Sequence, residues 1–255
     1  MLKHRVIPCL LLRNGGLVKT TKFDDPKYIG DPINAIRVFN DKEVDEIMVL
    51  DITASKETKE PNFALIEQFA GELFMPLCYG GGIKNVDQAK RLFTIGVEKI
   101  CLQTAVLNNL NLITQLSDQF GKQSVMVSID VKKNWMGKYQ LYSAVNGKFI
   151  SQPWLDYLKK AVDAGAGEIV LNVVDRDGMM QGMEIELIRE ASSAISVPLI
   201  AVGGVGSLSD IKKATDAGAS AVSAGAFFVF QGPYRAVSIT YPEYQELITL
   251  FKNTN

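Results

Sequence analysis

The feature that most constrains this chain is a stretch it contains twice. Residues 76–83 read Pro-Leu-Cys-Tyr-Gly-Gly-Gly-Ile and residues 198–205 read Pro-Leu-Ile-Ala-Val-Gly-Gly-Val, so Pro76 and Pro198 stand 122 positions apart. The same offset joins Gly96 to Gly218 and Glu46-Ile47 to Glu168-Ile169. Each copy is a short apolar run, a group of glycines, a segment of helical periodicity and another apolar run. A single copy would need no more explanation than a turn between a strand and a helix. However, an apolar strand leading into glycines that open a helix also points backbone N–H groups at an anion. Two copies in register predict a duplicated half-barrel holding a ligand with a phosphate at each end.

The remainder follows the same alternation. Apolar runs near 4–11, 46–51, 76–80, 98–103, 124–131, 168–174, 198–202 and 220–225 are separated by helix-period segments near 32–40, 61–73, 85–95, 109–120, 151–164, 183–195 and 207–217, with a last one at 241–252. Eight strand-then-helix units, with Val/Ile/Leu-rich strands suited to burial on both faces, specify a parallel α/β barrel. The expected architecture is a single (β/α)8 TIM-barrel domain over residues 1–255. Helix entries carry matching signals: Asp31-Pro32, Ser151 ahead of Trp154, and the capping-box-like Ser207-x-x-Asp210. Two connections exceed the minimum, and both emerge at the C-terminal face. Residues 13–30, with glycines and a lone Lys19, are a candidate lid, with an inert surface insertion as the alternative. Residues 132–150 alternate apolar and polar around Asn146-Gly147, a hairpin signal.

Composition sets the outer limits. A net charge of −1 offers no basic surface for nucleic acid. No apolar run approaches the roughly 20 residues a membrane span needs, and the first residues lack the apolar segment of a signal peptide. Cys9, Cys78 and Cys101 lie inside apolar runs without metal or disulfide spacing, as expected of reduced core residues in a cytoplasmic protein. The single histidine, His4, excludes histidine triads and multi-histidine metal sites. No metal or cofactor is expected.

Asp51, Asp130, Asp175 and Asp177 stand at the ends of strands. Asp130 closes the run Ser124-Val-Met-Val-Ser-Ile-Asp130, where burial would raise its pKa and suit it to general acid/base work; capping the next turn is the competing role. Asp51 suits orienting neighbouring backbone or a ligand hydroxyl, and Asp175-Arg176-Asp177-Gly178 suits polar substrate groups. If strand one is the half-barrel counterpart of strand five, Leu11 occupies the position facing Asp130. A two-acid mechanism then lacks one acid, a loss of roughly 10²–10⁴-fold in rate. At the opposite end, Arg5, Glu46, Lys99 and Glu168 sit at strand starts. They would form two pairs of opposite sign at the N-terminal mouth, or simply solvate it.

Several of these stretches together identify a resemblance: Arg-Val-Ile-Pro-Cys-Leu at 5–10, Gly30-Asp31-Pro32, Leu50-Asp-Ile-Thr-Ala-Ser55, Gly80-Gly-Gly-Ile83, Thr104-Ala105, Asp130, Gly165-Ala-Gly-Glu-Ile169, Asp175-Arg-Asp-Gly178 and Gly203-Gly204. Over essentially its whole length the chain resembles the cyclase subunit of imidazole glycerol phosphate synthase, HisF. The resemblance implies a two-fold duplicated barrel, a bisphosphorylated substrate of histidine biosynthesis, lyase chemistry, and ammonia supplied by a HisH-like class I glutaminase. It places one phosphate site on Gly82, Gln103 and Thr104, and the other on Gly178, Gly204, Gly225 and Ala226. Lys19 would belong to a mobile lid, while Asp51 and Asp177 would contact substrate. Arg5, Glu46, Lys99 and Glu168 would make an ammonia gate, with Glu98 facing the glutaminase.

The chain departs from the family at Leu11, Gln103, Met179 and Ala226, where an aspartate, an asparagine, a threonine and a serine are usual. These departures make it look like a HisF-like subset that works beside an ATP-dependent sugar amidotransferase. That subset relays ammonia for acetamidino formation on bacterial surface polysaccharides, including lipopolysaccharide. Two rivals remain: a true cyclase relying on Asp130 alone, and a non-enzymatic scaffold that activates the glutaminase.

Overall fold

A computed structural model describes residues 4–252. All eight expected strands form: β1 (Arg5–Arg13), β2 (Ile47–Asp51), β3 (Leu77–Gly80), β4 (Lys99–Leu102), β5 (Val125–Lys133), β6 (Glu168–Val173), β7 (Leu199–Val202) and β8 (Ala221–Ala224). Each pairs in parallel with the next, and β8 returns to β1, so the sheet closes into a (β/α)8 barrel. Around it run α1 (Pro32–Asp41), α2 (Phe63–Glu72), α3 (Val86–Thr94), α4 (Asn111–Phe120), α5 (Trp154–Asp163), α6 (Ile185–Ser193), α7 (Leu208–Asp216) and α8 (Tyr244–Lys252). Among the described residues, no helix is long and apolar enough to cross a membrane.

The strands read as continuous apolar runs because each is buried on both faces. Outward residues such as Leu10, Val49, Tyr79 and Ile129 pack against the helices. Inward residues form a second cluster of Ile7, Cys9, Met48, Cys78, Cys101, Met126, Val170, Ile200 and Ala221. The three cysteines all belong to this inner cluster as free thiols, and burial pushes each thiol pKa up.

The sequence repeat is carried by matching backbone. β3 and β7, β4 and β8, and α3 and α7 have bounds displaced by the same 122 positions, as Leu77–Gly80 against Leu199–Val202 illustrates. Asn85 caps α3 by accepting from Gln88 N, and Ser207 caps α7 by accepting from Asp210 N. Gly81 and Gly203 both have positive φ, +120° and +100°. A Cβ on Gly203 would lie 2.9 Å from the Val173 carbonyl oxygen, and one on Gly81 would overlap the Asp51 carbonyl oxygen; residues 51 and 173 are again 122 apart.

Three local expectations needed correction. Residues 13–30, a long glycine-bearing loop by sequence, form an antiparallel ribbon, with Gly16–Thr21 paired to Asp24–Gly30 and β1 extended to Arg13 to pair with it. Leu17, Val18, Lys19 and Thr20 are all buried in this ribbon, so it packs closely rather than standing free in solvent. Ser151 does not cap α5; its N-cap is Pro153, without a side-chain cap. The last helix begins at Tyr244 rather than 241, and the Tyr241 hydroxyl instead donates to Val6 O at 2.8 Å. The hairpin after β5 forms as expected, Tyr139–Ser143 with Lys148–Phe149 and Gly147 at φ +62° in the turn. A short helix, Ala226–Val229, and a hairpin, Phe230–Gln231 with Ala236–Val237, follow β8.

The glycine geometry yields a test. Gly81→Ala combines a positive φ with a backbone clash and should cost about 2 kcal/mol or more. Gly15→Ala, with φ +80° but open space around it, should cost about 1 kcal/mol. Urea unfolding of both variants checks this; equal costs would mean the close approach to Asp51 contributes nothing.

Candidate functional site

The C-terminal ends of the strands surround one cavity, lined by Lys19, Asp51, Gly82, Gln103, Thr104, Asp130, Asp177, Gly178, Gly204, Gly225 and Ala226 among the residues singled out in the sequence. Barrel topology explains the gathering, because residues at strand ends converge on the axis however far apart they stand in sequence. Met179 does not line this cavity. Its neighbour Met180 does, at φ +56° and packed against Ala226, Val229 and Phe230.

Register settles which residue opposes Asp130. Leu11 pairs with Leu50 across β1 and β2, Asp130 pairs with Asn172 across β5 and β6, and Leu50 and Asn172 are 122 apart. Leu11 therefore occupies the half-barrel equivalent of Asp130. The chamber is split accordingly: Cys9, Leu11 and Leu50 line one half, Ser128, Asp130 and Asn172 the other. Ser128 Oγ donates to Asp130 Oδ1 at 3.0 Å. Burial pushes the Asp130 carboxyl up to about 7, against the opposing pull of hydrogen bonds from Ser128 and Asn172. Such a group exchanges protons near neutrality. Neither Ser128 nor Asn172 was singled out in the sequence, although Ser128 falls on the inward row of β5 that ends at Asp130 and Asn172 on the inward row of β6.

The ribbon after β1 covers one side of the cavity. Thr20 Oγ1 donates to Asp177 Oδ2 at 2.6 Å, Phe23 N donates to the same oxygen at 3.2 Å, and Lys22 N donates to Asp177 O at 3.0 Å. Lys19 is buried, donates to the Cys9 carbonyl oxygen and lies against Gly225, where any side chain would collide with its Nζ. Burial lowers the Lys19 pKa and raises that of Asp177. Arg235, in the hairpin after β8, donates to Gly178 O at 2.8 Å. Asp177-Gly178 thus fastens two separate segments, a role found only once the ribbon is folded over the barrel.

Elsewhere in the chamber, polar groups are already engaged. Asp51 Oδ1 accepts from Thr53 N at 2.9 Å and Ala54 N at 3.0 Å. Thr104 Oγ1 donates to Gln103 Oε1 at 2.7 Å, and Gln103 Nε2 donates to Tyr142 O at 3.4 Å. Asp175 and Arg176 do not line the cavity. Asp175 accepts from Lys133 N at 2.7 Å, and Arg176 pairs with Glu184 at 2.6 Å.

At the other end of the barrel, Arg5, Glu46, Lys99 and Glu168 converge in one ring. Arg5 lies 2.5 Å from Glu46 and 2.9 Å from Glu168, and Lys99 lies 3.0 Å and 3.3 Å from the same two. Glu46 is only 2% exposed, and two cations lie against it at the mouth. Between this ring and the chamber lies the apolar and sulfur-bearing inner cluster. Glu98 is exposed beside the ring, and its Oε2 accepts from Leu77 N at 2.7 Å.

Comparison with known proteins agrees with this architecture. Residues 5–234 match the family described as histidine biosynthesis protein. The chain belongs to that family, as a divergent HisF-like member. It is 49% identical over 248 residues to "Putative imidazole glycerol phosphate synthase subunit hisF2" of Pseudomonas aeruginosa, covering 97% of this chain and 99% of that one. It is 47% identical over 251 residues to "Putative imidazole glycerol phosphate synthase subunit hisF3" of Vibrio vulnificus, covering 96% and 95%. Identity is 36% over 214 residues to "Imidazole glycerol phosphate synthase subunit HisF" of Alkaliphilus metalliredigens, covering 84% and 85%.

The Asp130 environment makes stability depend on pH with a definite sign. With a folded pKa of about 7 against the ordinary 3.8, the folded state keeps a proton that the unfolded chain has lost, so this group's contribution falls as pH rises between those values. Asp130→Asn removes that loss. From about pH 5 to pH 8 the variant should gain on the unsubstituted protein by up to about 3 kcal/mol. Urea unfolding at both pH values checks this, and a constant difference would mean that Asp130 titrates as an ordinary carboxylate.

Proposed function

We propose that this HisF-like chain is the ammonia-receiving barrel of a cytoplasmic glutamine amidotransferase system. A HisH-like class I glutaminase docks on the N-terminal face near Glu98. Ammonia enters between Arg5, Glu46, Lys99 and Glu168, passes the apolar interior and reaches the chamber at Asp130. It then serves an ATP-dependent sugar amidotransferase that builds acetamidino groups for surface polysaccharides. One observation carries this reading: Leu11 stands in the structural equivalent of Asp130 while the four-charge ring at the opposite mouth is intact.

The physical logic supports it. Cyclisation by two opposed acids cannot run on one acid and a leucine without a large loss in rate. Ammonia, by contrast, is small and neutral and crosses an apolar interior at less cost than a charged ion. The glycine cradles at Gly82 and at Gly178, Gly204, Gly225 and Ala226 provide backbone N–H groups for a phosphorylated small molecule. In this reading Lys19 supplies a cation beside the second cradle and Asp177 fastens the ribbon that covers it.

The reading predicts two outcomes. The purified chain, given ammonium and the bisphosphorylated substrate of histidine biosynthesis, should show little or no cyclisation; turnover within about tenfold of an authentic cyclase favours the alternative in which Asp130 acts alone. In the assembled system, Lys99→Ala should lower glutamine-dependent product formation while glutamine hydrolysis and ammonium-dependent activity persist. Equal loss with both nitrogen sources would show that Lys99 serves folding or chemistry instead.

A further inference from the structure

Buried oxygens that can only accept a hydrogen bond are costly to leave without one, and each such case calls for an occupant. Among the described residues, two buried carboxylate or amide side-chain oxygens have no partner: Glu46 Oε1 and Asn172 Oδ1. Both residues belong to inward-facing rows, Glu46-Met48-Leu50 leading into β2 and Glu168-Val170-Asn172 on β6. One lies at the charged mouth and the other in the chamber, with the apolar interior between them.

The mouth is asymmetric in the same sense. Arg5 and Lys99 both approach Oε2 of Glu46, whereas both oxygens of Glu168 are engaged. In the chamber, Asn172 stands beside Asp130 in the strand register, and its amide N–H is the group able to donate to that carboxyl. Its Oδ1 is left buried and open to a donor. The half-barrel equivalent of Asn172 is Leu50, so the barrel scaffold does not itself require a polar group at this position.

We propose that Asn172 Oδ1 and the Asp130 carboxyl together form a receiving site for ammonia at the chamber end of the barrel interior. An N–H of ammonia donates to Asn172 Oδ1, and Asp130 engages the same nitrogen; no covalent bond forms or breaks. Glu46 Oε1 offers a matching acceptor where ammonia would enter. This rests on the ammonia-relay reading above and adds to it the residue that holds the delivered nitrogen. It makes Asn172 a binding residue, and it gives the polar half of the chamber a use that does not require a second acid at position 11.

Binding to the isolated, isotopically labelled chain tests the proposal without any partner. The Asn172 side-chain amide resonance, assigned by its loss in Asn172→Leu, should shift saturably with ammonium chloride and not with sodium chloride or tetramethylammonium chloride at equal ionic strength. Because the ligand is neutral ammonia, the total ammonium needed for half-saturation should fall about tenfold per pH unit below about pH 6.5, where Asp130 keeps its proton and ammonium is the dominant form. No response beyond the sodium chloride control, which would leave only a structural water at Asn172, overturns the proposal, and so does a half-saturation that is independent of pH. Failure here leaves the Lys99→Ala test of the relay standing, and failure of that test leaves this binding measurement standing.

Discussion

Closing eight parallel strands into a barrel forces every second side chain into a narrow interior, and what fills that interior determines how the rest of the molecule works. Water cannot follow in quantity, so each inward residue must be apolar, paired, or exposed at an end. The chain uses all three options in layers. Four charges pair at the N-terminal mouth, aliphatic and sulfur side chains fill the middle, and polar groups return only where the cavity opens. The (β/α)8 scaffold would tolerate many fillings, so the particular layering points to what the barrel admits and retains.

The upper layer departs from the symmetry of the backbone. β3 and β7, β4 and β8, and α3 and α7 repeat with the same offset, and Gly81 and Gly203 repeat the same approach to a carbonyl oxygen. The side chains at the equivalent positions do not repeat: Leu11 and Leu50 are paired in one half where Asp130 and Asn172 are paired in the other. Backbone duplication makes two equivalent stations, and side-chain chemistry makes only one of them polar. This asymmetry concentrates desolvation on Asp130, whose carboxyl is pushed up to about 7 chiefly by burial. A second carboxylate at position 11 would add like-charge repulsion to that burial and change how both acids titrate.

Covering the chamber also depends on long-range contacts. Asp177 and Gly178, in the turn beyond β6, hold the ribbon from β1 through Thr20, Lys22 and Phe23, and hold the last hairpin through Arg235. Gly178 has φ +67°, and a side chain there would collide with the Thr20 carbonyl oxygen. One short turn therefore couples the first and last segments of the chain over the site. Lys19 is carried into the cavity by the same ribbon, where burial lowers its pKa.

The barrel was legible in the sequence because its causes are local and repeated. Period-3.6 segments alternate with doubly buried apolar runs, Asp31 and Ser207 cap their helices, and glycines recur where positive φ is required. Of the chamber residues, Asp51, Asp130 and Asp177 were legible from their places at strand ends, which must converge in such a barrel, whereas Gln103, Thr104, Gly225 and Ala226 came from the family resemblance. Their partners were not legible. Nothing local in Leu17-Val-Lys-Thr says that the ribbon folds back to place Thr20 on Asp177, and Met180 rather than Met179 reaches the cavity only because of its backbone conformation. Asn172 had no local signal beyond its place in an apolar strand. By itself the sequence determined the fold, the duplication and the row of inward positions, because these follow from periodicity and backbone sterics. Only the tertiary structure decided which inward groups are paired, how deeply each is buried and which oxygens are left without a donor, because those depend on distances between strands far apart in the chain.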